Sequence, residues 1–305
     1  MANLKHIRKR IVSVKSTQKI TRAMKMVAAA QLNRAQQRII AVRPYAVKTA
    51  QVLSEVVVTS AETQDGEHAE LMHPLLARRP EKRALILVVT GDRGLCGAFN
   101  SNVLRLADRV WREREAEGQK VMFGVVGRKG RDYFRRRGAP VFNNFHNIWE
   151  RLDLEQARGI ARSLLTPFAR GEVDAIYLVY NEFKSAVSQR PVMELLFPLP
   201  VPQSTTERAE AKEEWARHRE FLFEPDQSAL LERLVPMYVE ISILRALLES
   251  RASELGAQMT AMDAATKNAS EMIAKLTLDY NRARQAAITT ELMEIIGGAE
   301  ALRNG

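Results

Sequence analysis

The sequence predicts an α/β chain with long helices, in which the N- and C-terminal segments form an antiparallel two-helix coiled coil and the middle forms an open α/β domain. Three observations point there. Residues 1–59 carry a helical apolar stripe, with no glycine and a single proline, Pro44. The C-terminal segment repeats apolar side chains at alternating spacings of four and three. Between them, short unbroken apolar runs alternate with helical stretches.

The N-terminal helix is expected over 3–59. Asn3 can cap it, because its side-chain oxygen accepts from the orphan N–H groups of the first turn. Leu4, Ile7, Ile11 and Val14 mark one apolar face. The stripe shifts at Gln18 and resumes through Ile20, Met24, Val27 and Gln31, as a coiled-coil stutter would make it do. At about 1.5 Å per residue the helix is about 85 Å long. A helix of that length with one narrow stripe needs a partner.

The partner is the segment 228–305. Leu255, Met259, Met262, Thr266, Ala269, Ile273, Leu276, Tyr280, Ala283 and Ala287 follow a strict heptad, and Leu248 and Ala252 extend it backwards. A start near Ser228, a bend at Pro236 and a stop at Gly297–Gly298 are expected.

The middle, 82–199, changes period. The runs 84–89, 121–126 and 175–180 read as strands buried on both faces. Helical stretches near 101–117 and 153–170 separate them, which is the alternation of a Rossmann-like open sheet. Residues 60–81, with Gly66, Pro74 and Pro80, read as a loop, and 200–227 reads as a connector.

Charge is unevenly placed. Of 46 Lys and Arg residues against 36 Asp and Glu, twelve bases precede the first acid, Glu55. The remaining 34 bases and 36 acids leave a near-neutral body carrying one basic arm. No stretch approaches the roughly 20 apolar residues of a membrane span, and the N-terminus has no apolar core of a secretory signal. An organelle transit peptide is disfavoured because the helical pattern runs past residue 50. Cys96 is the only cysteine, so no internal disulfide forms, and no Cys/His cluster has zinc-ligand spacing.

The turn Thr90–Gly97 follows the first buried strand, where a glycine-rich loop could cradle phosphate. Its glycines, at 91, 94 and 97, fit neither a P-loop nor a G-x-G-x-x-G frame. The favoured reading is a tight strand-to-helix turn with a small buried Cys96. The five histidines, His6, His68, His73, His146 and His218, suggest no triad or metal site. No catalytic, cofactor-binding or metal-binding residues are expected. The residues leave open an enzyme binding NAD or another nucleotide, and a basic coiled-coil binder of nucleic acid.

Longer motifs narrow the choice. The run Thr17–Ala29, TQKITRAMKMVAA, resembles the N-terminal signature of the gamma subunit of F-type ATP synthases of bacterial type. Asp92–Gly97 is similar to that family's central motif, and Ala261–Ala269 with Asn281–Leu292 to its C-terminal signature. The resemblance spans the chain and implies a central rotor shaft. It couples proton-driven c-ring rotation to ATP synthesis or hydrolysis in the alpha–beta hexamer, without chemistry or cofactor of its own. The implied partners are the alpha and beta subunits, the epsilon subunit and the c-ring. Nucleic acid is not among them, and the membrane is reached only through the c-ring. The implied location is peripheral, on the cytoplasmic face of the plasma (inner) membrane.

The resemblance also implies roles for residues. Met24 and Lys25 would lie near beta-subunit levers. Gln285 and Thr289, with Gln258 and Arg282, would belong to a rotor–stator contact. Phe221, Phe223 and Glu224 would form the foot facing the c-ring and epsilon. One departure stands out: Gly256-Ala257-Gln258-Met259 replaces the family's usual Ala-Ala-Arg-Met, so a charge-assisted contact becomes neutral. Gly256 also costs a helix about 1 kcal/mol relative to alanine. The cysteine-bearing insertion of chloroplast members is absent.

Overall fold

The structure, a computed structural model, describes residues 4–62, 79–198 and 227–303. Its elements in order are α1 (Leu4–Glu62), β1 (Arg83–Val89), α2 (Phe99–Ala116), β2 (Lys120–Val126), α3 (Arg128–Arg136) and β3 (Val141–Phe145). They continue with α4 (Leu154–Ala169), β4 (Ala175–Phe183), β5 (Gln189–Phe197) and α5 (Gln227–Arg303). The chain divides into two compact units. One comprises Met1–Ala30 with Gln258–Gly305, the other Gln31–Ala257, and α1 and α5 contribute to both.

The larger unit is built on a five-stranded sheet of order β3-β2-β1-β4-β5. β1 runs parallel to β2 and to β4, and β2 is parallel to β3. β5 returns antiparallel along β4, from Phe183↔Gln189 to Ile176↔Phe197. As an edge strand it tolerates Pro191, whose missing N–H would break a central ladder. The chain moves outward from β1 on one side and back through α4 to β4 on the other.

Strand alternation sends side chains to two cores. Ile86 and Val88 of β1 join Val103, Ala107, Phe123 and Phe134 beneath α2 and α3. Leu85, Leu87 and Val89 face the opposite core with Ile160, Leu164 and Phe168 of α4 and Val235, Val239, Ile243 and Leu247 of α5. The first part of α5 thus covers the sheet, which explains its wide apolar face upstream of the narrow seam. Further along, Leu248, Ala252 and Leu255 pack with Ile39, Ala35 and Leu32 of α1, so the two helices run antiparallel here.

In the smaller unit the same direction is marked by polar partners: Gln18 with Ser270, Thr21 with Thr266, and Lys25 with Asp263. On α5 the heptad positions from Met259 to Ala287 are all buried or half-buried, as expected from their spacing. On α1 the expected stutter is absent. Gln18, Thr21, Lys25, Ala28 and Leu32 continue the three–four spacing of Leu4, Ile7, Ile11 and Val14, all buried or half-buried. Ile20, Val27 and Gln31 are exposed. The seam stays in register because polar residues occupy it and pair across it. Hydrophobicity alone therefore traced the wrong face.

The expected stop at Gly297–Gly298 is also corrected, since α5 runs through both glycines to Arg303. Neither has positive φ, and flanking Glu, Ile, Ala and Leu residues favour continued helix. Pro236 lies within α5 and Pro44 within α1. Among the described residues no helix is long and apolar enough to cross a membrane.

Candidate interaction surface of the helix pair

In the smaller unit, α1 and α5 bury one stripe each and leave the rest to solvent. The centre of the seam is polar. Gln18 Nε2 donates to Ser270 Oγ at 2.7 Å, and the Thr21 and Thr266 hydroxyls lie 2.8 Å apart. Lys25 Nζ donates to Asp263 Oδ1 at 2.5 Å. Such pairs specify register, because a slipped helix would leave each donor without its acceptor. The Lys25 side chain is 43% exposed and that of Asp263 62%. Their attraction is therefore screened and worth at most about 1 kcal/mol.

The outer surface is unusual for a helix pair. Seven of the eight α1 bases in this unit are exposed, Lys25 alone sitting in the seam. Val12, Ile20, Met26 and Val27 are exposed among them. On α5 every side chain from Ile288 to Ala299 is exposed, including Ile288, Leu292, Met293, Ile295 and Ile296. Apolar side chains left open over successive turns mark a contact surface.

The residues singled out from sequence fall on distinct parts of this unit. Arg282, Gln285 and Thr289, spaced by three and four, share an exposed face of α5 outside the seam positions Tyr280, Ala283 and Ala287. Thr289 Oγ1 donates back to the Gln285 carbonyl at 2.9 Å. Met24 is half-buried beside Lys25, and Gln258 is half-buried on α5. Sequence reasoning placed Thr266 in the heptad without its polar partner, and did not single out Asp263 and Ser270 as partners of α1. Their signal was the unbroken three–four spacing of polar Gln18, Thr21 and Lys25. Phe221, Phe223 and Glu224 lie outside the described residues.

The larger unit shows what became of the glycine turn after β1. Thr90 Oγ1 donates to the Val126 carbonyl at 2.8 Å and accepts from the Gly130 N–H at 2.9 Å. The N-terminus of α3 is occupied by Asp92, whose Oδ1 accepts from the Arg128 N–H at 2.8 Å. α5 lies across the same end of the sheet. Ser253 Oγ donates to the Asn181 carbonyl at 3.0 Å, and Cys96 and Phe99 pack on Ala257. A Cβ on Gly91 would stand 2.5 Å from Glu254 Oε1, so glycine is what lets the carboxylate in. In doubly wound folds the crevice at the strands' carboxyl ends receives nucleotides. Here the chain's own carboxylates and helix fill it.

Burial pushes the Glu254 carboxyl above the ordinary glutamate range, against the opposing pull of Arg251, whose Nη1 donates to it at 2.5 Å. Burial and the neighbouring Glu254 push the Cys96 thiol up, so it is not a reactive thiolate. Gly256 also has a local reason: a Cβ there would stand 3.1 Å from the Ala186 carbonyl oxygen, in the β4–β5 turn. No group of three or more potential metal ligands occurs among the described residues.

Comparison with known proteins agrees with this geometry. The family model described as ATP synthase matches residues 3–302. The ATP synthase gamma chain of Sorangium cellulosum is 56% identical over 99% of this chain and its own full length. The chain belongs to the ATP synthase gamma chain family. The gamma chain of Geobacter metallireducens is 48% identical over the same 99% of this chain, again at full length. Among solved structures, a chain of the Euglena gracilis mitochondrial ATP synthase (OSCP/F1/c-ring) superposes with a TM-score of 0.64 at 20% identity. That match covers 99% of this chain and 95% of the other. A chain of the Tetrahymena thermophila mitochondrial ATP synthase central stalk and c-ring gives 0.58 at 24% identity, covering 81% and 99%. These two likenesses bear on the fold alone, long helices joined to a central sheet.

Proposed function

We propose that the chain is the central rotor shaft of an F-type ATP synthase, coupling proton-driven c-ring rotation to conformational change in an alpha–beta hexamer and so to ATP synthesis or hydrolysis. The observation that carries this reading is the antiparallel seam of the smaller unit. It is held in register by Gln18, Thr21 and Lys25, yet exposes its basic and apolar outer surface along the described length.

A shaft must resist twisting, and the heptad packing with cross-seam polar pairs supplies that stiffness. It must also turn past similar partners without being trapped. Exposed alanines such as Ala23, Ala30 and Ala286 limit deep interlocking. Exposed lysines and arginines act on acidic partner surfaces through distance-tolerant, screened attraction. On this reading Met24, Lys25, Gln258, Arg282, Gln285 and Thr289 serve the contact with the beta subunits. Phe221, Phe223 and Glu224 serve the foot facing epsilon and the c-ring. The exposed apolar turns after Ala287 suit the bore of the hexamer. The shaft does no chemistry itself, a reading supported by the crevice that Asp92 and Glu254 occupy. It is peripheral, on the cytoplasmic face of the plasma membrane, and reaches the bilayer through the c-ring.

The test is reconstitution. Added to membranes stripped of their gamma chain, the protein restores proton-driven ATP synthesis and is recovered with alpha, beta and epsilon subunits. Failure of both, with the chain folded, overturns the reading. Equilibrium dialysis of the isolated chain with NAD and with ATP separates the rival: stoichiometric binding favours an enzyme.

A further inference from the structure

The near-neutral charge of the body conceals a second cationic surface. Between Arg128 and Arg137 six of ten residues are Lys or Arg against one acid, Asp132. α2 lies beside α3 and carries Arg105, Arg109 and Arg112 at spacings of four and three. Arg109 is exposed; Arg112 has an exposed side chain. We propose that the joint face of α2 and α3 is a docking surface for an acidic protein segment. The proposal stands independently of the rotor reading, since it rests on the larger unit alone.

Four of these arginines are held in place. Asp108 lies 2.9 Å from Arg112 Nη2 and 3.4 Å from Arg137 Nε, binding the two helices together. Arg137 also stacks over the Tyr133 ring, 3.8 Å from its centroid. Asp132 lies 2.9 Å from Arg131 Nη2 and 3.8 Å from Arg135 Nη2. The Arg131 guanidinium holds the Asp132 carboxyl below the usual carboxylate range, so it stays ionised. Each carboxylate is covered by two guanidiniums, being 15% exposed for Asp108 and 31% for Asp132, while Arg112 and Arg135 are 72% and 75% exposed. The acids orient the arginines without neutralising the face. A guanidinium fixed on one edge keeps N–H donors on the other, in the fork that matches a carboxylate.

The occupant follows from what the face lacks. Phe134 and Gly130 are buried in the core and Tyr133 lies beneath Arg137, so α3 has no apolar side chain to insert into a lipid surface. Arg137 covers the Tyr133 ring and Trp111 of α2 packs edge-on against Phe123, which disfavours both as platforms for base stacking. Arginine outnumbers lysine five to one in the run, which favours bidentate carboxylate recognition over diffuse attraction. An acidic helix or strand laid between the two arginine rows satisfies both.

The test titrates the full-length chain with a labelled oligoglutamate peptide at physiological salt, with a DNA duplex and phosphatidylglycerol vesicles as competing probes. Arg109→Gln/Arg135→Gln/Arg136→Gln weakens peptide binding about tenfold. Arg151→Gln/Arg162→Gln/Arg170→Gln, exposed cations on and beside α4, weakens it by less than about threefold. The triple Arg→Lys variant at 109, 135 and 136 keeps the charge and the fold, and loses affinity measurably because the fork is gone. Equal losses from the two glutamine triples would show an unspecific charge effect and overturn the proposal. So would an unaltered affinity in the α2–α3 variants. Tighter, α3-dependent capture of DNA or vesicles would likewise overturn it.

Discussion

Lys25 of α1 and Asp263 of α5 meet at 2.5 Å across the seam, one layer from the Thr21–Thr266 hydroxyl pair. Lysine thus occupies a heptad core position because its partner is an exposed aspartate, and the seam remains partly wet at this level.

A double-mutant cycle on Lys25→Ala and Asp263→Ala is expected to give a coupling energy of about 0.2–1 kcal/mol. It shrinks as salt is raised, because both groups are open to solvent. Thermal unfolding at low and high ionic strength measures it. A salt-insensitive coupling above about 2 kcal/mol would mean that the pair is desolvated.

The unbroken α1 seam predicts unequal costs for two apolar truncations. Leu32→Ala, at a position 5% exposed, destabilises the chain by about 2–3 kcal/mol. Ile20→Ala, at a position 57% exposed, changes stability by about 0.5 kcal/mol or less. Denaturant melts decide between them, and the reverse order would restore the stutter.

Glu249 predicts a pH effect. It is buried on α5, its Oε2 accepts no hydrogen bond, and Arg245 Nη1 is 3.9 Å from its Oε1. Burial raises its carboxyl above the ordinary range, with Glu182 of β4 and Glu194 of β5 adding to the rise and Arg245 and Arg43 opposing it. A folded-state value above the unfolded one means that its contribution is fully present below the unfolded value of about 4.3. That contribution is lost as pH rises through the folded value. Glu249→Gln therefore stabilises by about 1 kcal/mol near neutral pH and hardly at all near pH 4. Melting curves against pH show a flatter profile for the variant if the sign is right.

In the assembled complex, Gln285→Ala lowers coupled ATPase activity while leaving the melting temperature of the isolated chain unchanged, since the side chain is exposed on α5. Gln258→Arg alters turnover and increases its salt dependence, because a neutral contact becomes charge-assisted. Activity assays on reconstituted membranes read both. Wild-type behaviour in each would remove these residues from the proposed contact.

Legibility differed by element. β1, β2 and β4 were plain because strands buried on both faces read as unbroken apolar runs. β3, whose residues are mostly half-buried with two asparagines, and β5, an edge strand with Pro191, carried no such signal. α3 was hidden by its composition: five cations around Gly130, Tyr133 and Phe134 give a helix whose apolar face is one turn wide. The exposed face holding Arg282, Gln285 and Thr289 was legible through the family signature and the heptad beside it. The polar seam was not, because apolar periodicity favoured Ile20 and Val27 over Gln18 and Lys25.

By itself the sequence determined two long helices, their antiparallel pairing, the open sheet between them and the family to which they belong. Those follow from local periodicity and from motifs read in order along the chain. Tertiary structure alone decided which α1 face is the seam, that α5 closes the crevice with Glu254, and that arginines of α2 and α3 form one surface. Each depends on groups distant in sequence meeting in space. A polar side chain is buried or exposed according to its partner, and only the fold supplies the partner.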